Sequence, residues 1–303
     1  MIGFIKHYIG RYMPEIAIEY FEGLIRPSRF ILKQKIRSYF LSLDRSKQEQ
    51  EIVKIIIFFE KHRFSVFPYD FCKEHSVENT LIYYDDKSKM HYIEHNKKQL
   101  YFPNNYDKYT ITRCYNSLCI EQDINSPHRY QTEEFNVKNG DVIADIGAAE
   151  GIWALDNVER AGKVYLFERD SKWINALQKT FEPWKEKVVI VQKYVSNEND
   201  NSKVSLDEVF KDKEINFIKA DIEGAEIELL KGGESVLSRN GNMRLLLCTY
   251  HRENDDKKLK EILENNGFKT EYSKGYMLYI FDKKLKEPYI RQGLIRAKKQ
   301  YHL

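Results

Sequence analysis

Three carboxylates stand where an α/β fold would gather them. Asp145 lies near the end of the apolar run Asp141-Val142-Ile143-Ala144-Asp145-Ile146, and a glycine-bearing turn follows, Gly147-Ala148-Ala149-Glu150-Gly151. Glu168 closes the next run, Lys163-Val164-Tyr165-Leu166-Phe167-Glu168. Asp221 closes Ile215-Asn216-Phe217-Ile218-Lys219-Ala220-Asp221, with Glu223 just beyond it, and His251 directly follows Arg244-Leu245-Leu246-Leu247-Cys248-Thr249-Tyr250. Glycines let a backbone approach a ligand where a Cβ would collide. A carboxylate at the tip of a second strand accepts hydrogen bonds from both hydroxyls of a ribose. The pattern predicts an adenosyl ligand, with Gly147, Ala148 and Gly151 beside it and Glu168 on its ribose.

The charges around the turn say which adenosyl compound to expect. A dinucleotide loop reads GxGxxG, whereas these two glycines are four apart. Asp145 and Glu150 flank the turn, and both would repel a pyrophosphate at a helix N-terminus. S-adenosylmethionine carries an ammonium and a sulfonium and no phosphate, so acidic flanks suit it. Asp145 and Asp221 are expected to face one crevice, at the point where strand order switches. Methylation of a hydroxyl needs a base close to the attacking oxygen, and Asp221 and His251 are the candidates; the product would be S-adenosylhomocysteine. Asp221, Glu223 and His251 also offer oxygen and nitrogen to a divalent metal, but no ligand spacing compels one.

The elements that must position these residues follow from periodicity. From Asn139 the chain alternates strand and helix. Strands are predicted at 142–146, 163–168, 188–192, 215–221 and 243–250, and helices at 151–161, 171–181, 206–210, 224–237 and 256–266. The runs Phe268–Tyr272 and Met277–Phe281 are separated only by Ser273-Lys274-Gly275-Tyr276, which predicts a terminal hairpin. The fold class is therefore α/β, with a mostly parallel Rossmann-like sheet closed by an antiparallel pair. Upstream, an amphipathic helix is predicted near Ile5–Ile16, interrupted at Pro14, then helices at 30–43 and 48–62. Short tyrosine-rich segments at 81–85, 90–94 and 99–102 predict a small antiparallel meander. The domains expected are an N-terminal region over 1–132 for acceptor binding or docking, a cofactor domain over 133–283, and a basic tail over 284–303.

At these residues the chain resembles the FkbM family of class I methyltransferases. The likeness rests on Asp145-Ile146-Gly147-Ala148 through Gly151, Phe167-Glu168, Val204-Ser205-Leu206-Asp207-Glu208, and Ile218-Lys219-Ala220-Asp221-Ile222-Glu223-Gly224-Ala225-Glu226 with Leu229-Leu230-Lys231-Gly232. It spans roughly half the chain. The resemblance implies S-adenosylmethionine as methyl donor and usually O-methylation, with sugars, glycans or polyketide-type metabolites as acceptors. Members of the family commonly have Asn in place of Ala149 and Pro in place of Arg169. A subset is similar at Ser126-Pro127-His128-Arg129-Tyr130, which implies a lid or acceptor role for His128 and Arg129, with Glu223 nearby.

Composition narrows the classes of partner. A formal net charge of +3 is too small to indicate nucleic acid. Four scattered cysteines without a CxxC pair fit free thiols in a reducing compartment. The longest apolar run, Ile55–Phe59, is far below the ~20 residues of a membrane span, so the expected location is cytoplasmic. Peripheral contact with a membrane would fall to the N-terminal helix. The expectation is an O-methyltransferase acting on a sugar or glycan of a capsule or surface polysaccharide. The alternatives are an NAD-dependent oxidoreductase or epimerase, and a non-catalytic cofactor-binding protein that docks a partner. The missing GxGxxG and the acidic flanks count against the first, and the retained acidic residues count against the second.

Overall fold

A computed structural model describes residues 26–75, 80–239, 241–282 and 284–299. The helix predicted near Ile5–Ile16 lies outside the described residues. The chain forms two compact units, Met1–Glu74 with Tyr276–Ile290, and His75–Gly275 with Arg291–Leu303.

In the first unit, helix α1 (Pro27–Ser42) starts with a proline at its first position, where a missing N–H costs nothing. Helix α2 (Gln50–Lys61) buries Ile52, Ile55, Ile56 and Phe59. These pack with Ile36 and Phe40 of α1, and Phe40 stacks on Phe59 at 5.6 Å between ring centroids. Leu278, Ile280 and Tyr289 complete this core.

The second unit begins with the predicted meander, β1 (Ile82–Asp85), β2 (Met90–His95) and β3 (Lys98–Tyr101), each strand antiparallel to the next. Helix α3 (Lys108–Glu121) follows, and the Asp107 carboxylate caps it by accepting from the Thr110 N–H. Its threonines, tyrosines and cysteines are mediocre helix formers, and no helix is predicted there from sequence.

Seven strands then make the central sheet: β4 (Val142–Ile146), β5 (Lys163–Phe167), β6 (Val188–Val191), β7 (Phe217–Ala220), β8 (Arg244–Cys248), β9 (Phe268–Tyr272) and β10 (Leu294–Lys299). Their order is β6-β5-β4-β7-β8-β10-β9. All pairs are parallel except those made by β10, which runs antiparallel to both neighbours. Every residue of β7 and β8 is buried, as expected of central strands covered on both faces. The connections carry α4 (Ile152–Asn157), α5 (Ser171–Thr180), α6 (Leu206–Val209), α7 (Glu226–Lys231), α8 (Glu234–Arg239) and α9 (Asp255–Asn265). The helix predicted over 224–237 is divided at Gly232-Gly233 into α7 and α8. Among the described residues, no helix is long and apolar enough to cross a membrane.

Two expectations are corrected. The antiparallel end of the sheet exists, but the partner of β9 is Leu294–Lys299 and not Met277–Phe281. The apolar alternation of Met277–Phe281 is real; Leu278 and Ile280 serve the helical core of the first unit instead. Conversely, the basic tail expected over 284–303 contains a strand buried over its first four residues, with Leu294, Ile295 and Ala297 at 0% exposure. Its cations are satisfied by main-chain oxygens. Arg296 donates to the carbonyls of Arg129 and Tyr130, Lys298 to that of Glu134, and Lys299 to those of Leu237 and Ser238. The boundary expected at 132 also moves, because the meander packs within the second unit: the Tyr101 N–H donates to Thr180 Oγ1 at 3.0 Å, and His95 lies 3.0 Å from Asp156.

Burial of β10 predicts that Ile295→Ala lowers stability by about 2–5 kcal/mol, as for a deleted core isoleucine. Urea unfolding should show the unfolding free energy fall by that amount and the midpoint shift down accordingly; a solvated tail would show almost no change.

Candidate active site

The carboxyl ends of β4, β5 and β7 open onto a cleft of about 300 Å³. It lies at the switch point, where β5 and β7 leave β4 on opposite sides. Gly147, Ala149, Glu168, Asp221 and Glu223 line it, with Ile146, Phe167, Trp173 and Ile222 supplying apolar surface. Asp145, Ala148, Gly151, His128, Arg129 and His251 are absent from its wall.

Glu168 is fixed before any ligand arrives. Oε2 accepts from the Ala149 N–H at 2.9 Å and Oε1 from the Asp170 N–H at 2.7 Å. Each oxygen keeps a lone pair for a further donor. Three further amides of the turn are engaged: Gly147 and Ala148 both donate to Phe167 O, and Gly151 donates to Ala148 O. A loop with its N–H groups committed in this way does not form the anion cradle of a phosphate site. Arg169, Lys172 and Lys193 stand in the cleft wall, yet Lys172 pairs with Asp170 at 2.8 Å and Lys193 donates to Asp200 O.

The glycines answer to the protein and not directly to a ligand. Gly147 has φ +73°, and a Cβ there would lie 2.1 Å from Asp221 O. Gly151 has φ +75°, and its Cβ would meet Leu177 and Phe181 at 2.8 and 2.9 Å. Gly147 thus lets β4 and β7 approach each other at the cleft, while Gly151 seats α4 on the core.

Asp145 does not face the crevice. It is 1% exposed and pairs with Lys219 Nζ at 2.9 Å. Burial pushes the Asp145 carboxyl above its ordinary range, against the pull of Lys219. Burial would lower the pKa of Lys219, but Asp145 and Asp221 together hold it above the ordinary lysine value. Glu150 also turns inward. Burial, with the Glu121 carboxylate adding to it, raises its pKa to about 8, so at neutral pH it is mostly protonated. The acidic flanks read from sequence are therefore not the charges that a ligand meets. Those are Glu168, Asp170, Asp221 and Glu223.

Asp221 is the hub. Oδ2 accepts from Tyr130 Oη at 3.0 Å, and Oδ1 accepts from Tyr250 Oη at 3.2 Å and lies 3.3 Å from His251 Nε2. His128 Nε2 lies 3.5 Å from Oδ2. Burial opposes ionisation of Asp221, yet His128 and His251 hold its pKa well below the carboxylate range. His251 itself sits between two carboxylates, with Glu226 Oε1 3.2 Å from Nδ1. Burial would lower its pKa, but Asp221 and Glu226 raise it to about 10. At neutral pH His251 is thus an imidazolium ion-paired with both neighbours, which does not favour the expected role of base.

The segment before the cofactor domain reaches the same place. His128 is 1% exposed and packs its ring against Tyr130 and Tyr250 at 5.0 and 5.3 Å. Arg129 instead binds main-chain oxygens of Gln131 and Gln122 at 2.8 and 3.2 Å, and so shapes the loop. Glu223 is exposed in the cleft with φ 55°, a left-handed conformation uncommon for glutamate. Glu226, and not Glu223, joins Asp221 and His251. Two sets of donor atoms lie within 4.8 Å of one another: Asp221, Glu226 and His251, and His128, Asp221 and Cys248.

Sequence reasoning missed Lys219, Glu226, Tyr130, Tyr250 and Cys248 as members of this network. Lys219 carried a signal, being one cation in an otherwise apolar strand two residues before Asp221. Glu226 resembled an ordinary first-turn acid, and nothing local marks it as the partner of His251.

Two stability measurements check this account. Gly151→Ala should cost about 1–3 kcal/mol without any ligand present, because the methyl group overpacks against Leu177 and Phe181; an unchanged melting temperature would contradict the packing role. An acid with a raised folded-state pKa makes the protein less stable as pH rises from its unfolded value, here 4.5, through about 8. Glu150→Gln should therefore match wild type near pH 4.5 and be the more stable protein at pH 9, read by thermal unfolding across that range.

Comparison with known proteins identifies the family. The methyltransferase FkbM domain matches residues 66–270. A search of curated proteins gives no match. Among solved structures, precorrin-6Y C5,15-methyltransferase from Geobacter metallireducens is 16% identical, with 54% of this chain and 84% of that chain covered and a TM-score of 0.38. Precorrin 8w decarboxylase from Methanobacterium thermoautotrophicum is 14% identical, covering 66% and 94% with a TM-score of 0.38. An rRNA methylase from Streptococcus thermophilus is 17% identical, covering 55% and 90% with a TM-score of 0.37. No role is carried over from these three. The family match spans about two thirds of the chain, from the end of the first helical unit through β9, and the chain belongs to the FkbM methyltransferase family.

Proposed function

We propose that this protein transfers the methyl group of S-adenosylmethionine to a hydroxyl of a sugar or glycan, releasing S-adenosylhomocysteine. The observation that carries the reading is Glu168, at the tip of β5, with both oxygens fixed by backbone N–H groups and facing the cleft at the switch point. A ribose diol would take one hydrogen bond to each oxygen. Phe167, Trp173 and Ile222 offer apolar surface for the adenine, and Asp221 and Glu223 offer negative charge to the ammonium and sulfonium.

In this reading the acceptor hydroxyl donates to Asp221, which orients the oxygen toward the methyl carbon. Bound there, S-adenosylmethionine would supply an electrophilic methyl carbon: the C–O bond would form as the C–S bond breaks with its electron pair left on sulfur, and the hydroxyl proton would pass to water. Such placement is a large part of what an enzyme supplies, up to about 7–11 kcal/mol for well-oriented reactants. His251 acts as a positioning residue that keeps Asp221 ionised and aimed.

Support for a carbohydrate acceptor comes from the family and from the meander. Tyr83, Tyr92 and Tyr101 form a row across β1, β2 and β3, with ring centroids 5.2 and 5.1 Å apart, and Tyr83 is exposed. Flat aromatic faces of this kind stack on sugar rings. An NAD-dependent activity is disfavoured by the committed amides of the turn. The cytoplasm is the proposed location.

Calorimetry tests the donor. S-adenosylmethionine or S-adenosylhomocysteine should bind with micromolar affinity while NAD gives no heat, and the reverse result would overturn the reading. Glu168→Ala should weaken binding about 10–100-fold, the loss of one or two hydrogen bonds to a charged group. Mass spectrometry of glycan extracts incubated with enzyme and donor should show products heavier by one methyl group.

A further inference from the structure

We propose that His128, Asp221 and Cys248 form a binding site for a divalent transition-metal ion of the zinc type. Unlike the histidine between Asp221 and Glu226, whose two ring nitrogens face different carboxylates, these three side chains converge on one point. His128 Nε2 lies 3.5 Å from Asp221 Oδ2 and 3.6 Å from Cys248 Sγ. The first distance is longer than an N–H···O hydrogen bond, which peaks near 2.9–3.0 Å. Both fit the edges of a coordination tetrahedron. Zinc bonds at about 2.1 Å to nitrogen and oxygen and about 2.3 Å to sulfur, which gives edges of about 3.4 Å from N to O and about 3.6 Å from N to S.

The chemistry of the set agrees with its geometry. Imidazole, thiolate and carboxylate together select zinc-like ions over magnesium or calcium, which prefer oxygen alone. The Glu121 carboxylate lies 3.9 Å from His128 Nδ1, on the far side of the ring from Asp221 and Cys248. The rings of Tyr130 and Tyr250 pack against His128, and Cys248 is fully buried, while Asp221 reaches the cleft. Three protein ligands leave one tetrahedral position for an oxygen ligand, as in catalytic zinc sites. An oxygen bound there would be polarised beside Asp221, where no residue is well placed to act as a base.

Cobalt(II) is the probe, used with the tag-free full chain after dialysis against a chelator. One equivalent should bind with the visible bands of tetrahedral cobalt and a near-ultraviolet thiolate-to-cobalt charge-transfer band, and zinc should displace it. Cys248→Ser should remove the charge-transfer band, and His128→Gln should weaken binding at least tenfold; Cys114→Ser should leave both unchanged. Circular dichroism establishes that each variant is folded. If Cys248→Ser does not fold, X-ray absorption of the wild-type cobalt protein reads the same question, with one sulfur neighbour expected. A folded wild type without the thiolate band, a band that survives Cys248→Ser, or a ligand sphere of nitrogen and oxygen only would overturn the site. No S-adenosylmethionine is present in the titration, so either outcome leaves the methyl-donor reading untouched.

Discussion

A carboxylate buried at the end of a central strand must be compensated, and in this protein the compensation of Asp221 organises everything around it. An unpaired charge in such a place costs several kcal/mol. Its partners come from two distant segments, Tyr130 with His128 from the loop before β4, and Tyr250 with His251 from the end of β8. Satisfying one charge therefore draws the Ser126–Tyr130 loop onto the mouth of the sheet. That loop is then held from behind by Arg296 of β10, which binds the carbonyls of residues 129 and 130. The strand that completes the sheet and the loop that completes the site are one mechanical unit.

The same economy of charge explains why the acidic residues beside the glycine turn do not act as a ligand-facing rim. Asp145 is neutralised by Lys219 on the neighbouring strand, and Lys219 also donates to Gly147 O. This pair ties β4 to β7 beneath the cleft, while Gly147 leaves room for the Asp221 carbonyl above it. The cleft is lined instead by the acids Glu168, Asp170 and Glu223, together with the compensated Asp221.

Much of this was legible in the sequence where the signal is local. The alternation of apolar runs and helical patterns from Val142 to Asn265 marks the sheet and its crossovers, and the carboxylates at strand ends mark the cleft. Partnerships between distant segments were not legible. Met277–Phe281 and Leu294–Lys299 show how an apolar alternation declares a buried strand or strap but not its core. The first joined the helices of the other unit, and the second was disguised by three cations whose partners are main-chain oxygens. Likewise Glu226 carries the look of a helix-dipole acid. Its pairing with His251 exists only because α7 starts beneath the end of β8.

The protonation of this network bears on how methyl transfer could proceed. A sulfonium donor loses its positive charge as the methyl group moves, so a bare carboxylate beside it would stabilise the reactant more than the transition state and slow the step. Asp221 is not bare. Two tyrosine hydroxyls and the His251 imidazolium draw on its oxygens and reduce its field toward the cleft. What remains is a rigid, weakly basic acceptor, able to fix the direction of a hydroxyl without holding the sulfonium in its ground state. An imidazolium locked between Asp221 and Glu226 serves that purpose better than a neutral histidine free to take the proton. The buried cluster is in this sense a device for geometry, built from charges that are paid for inside the fold.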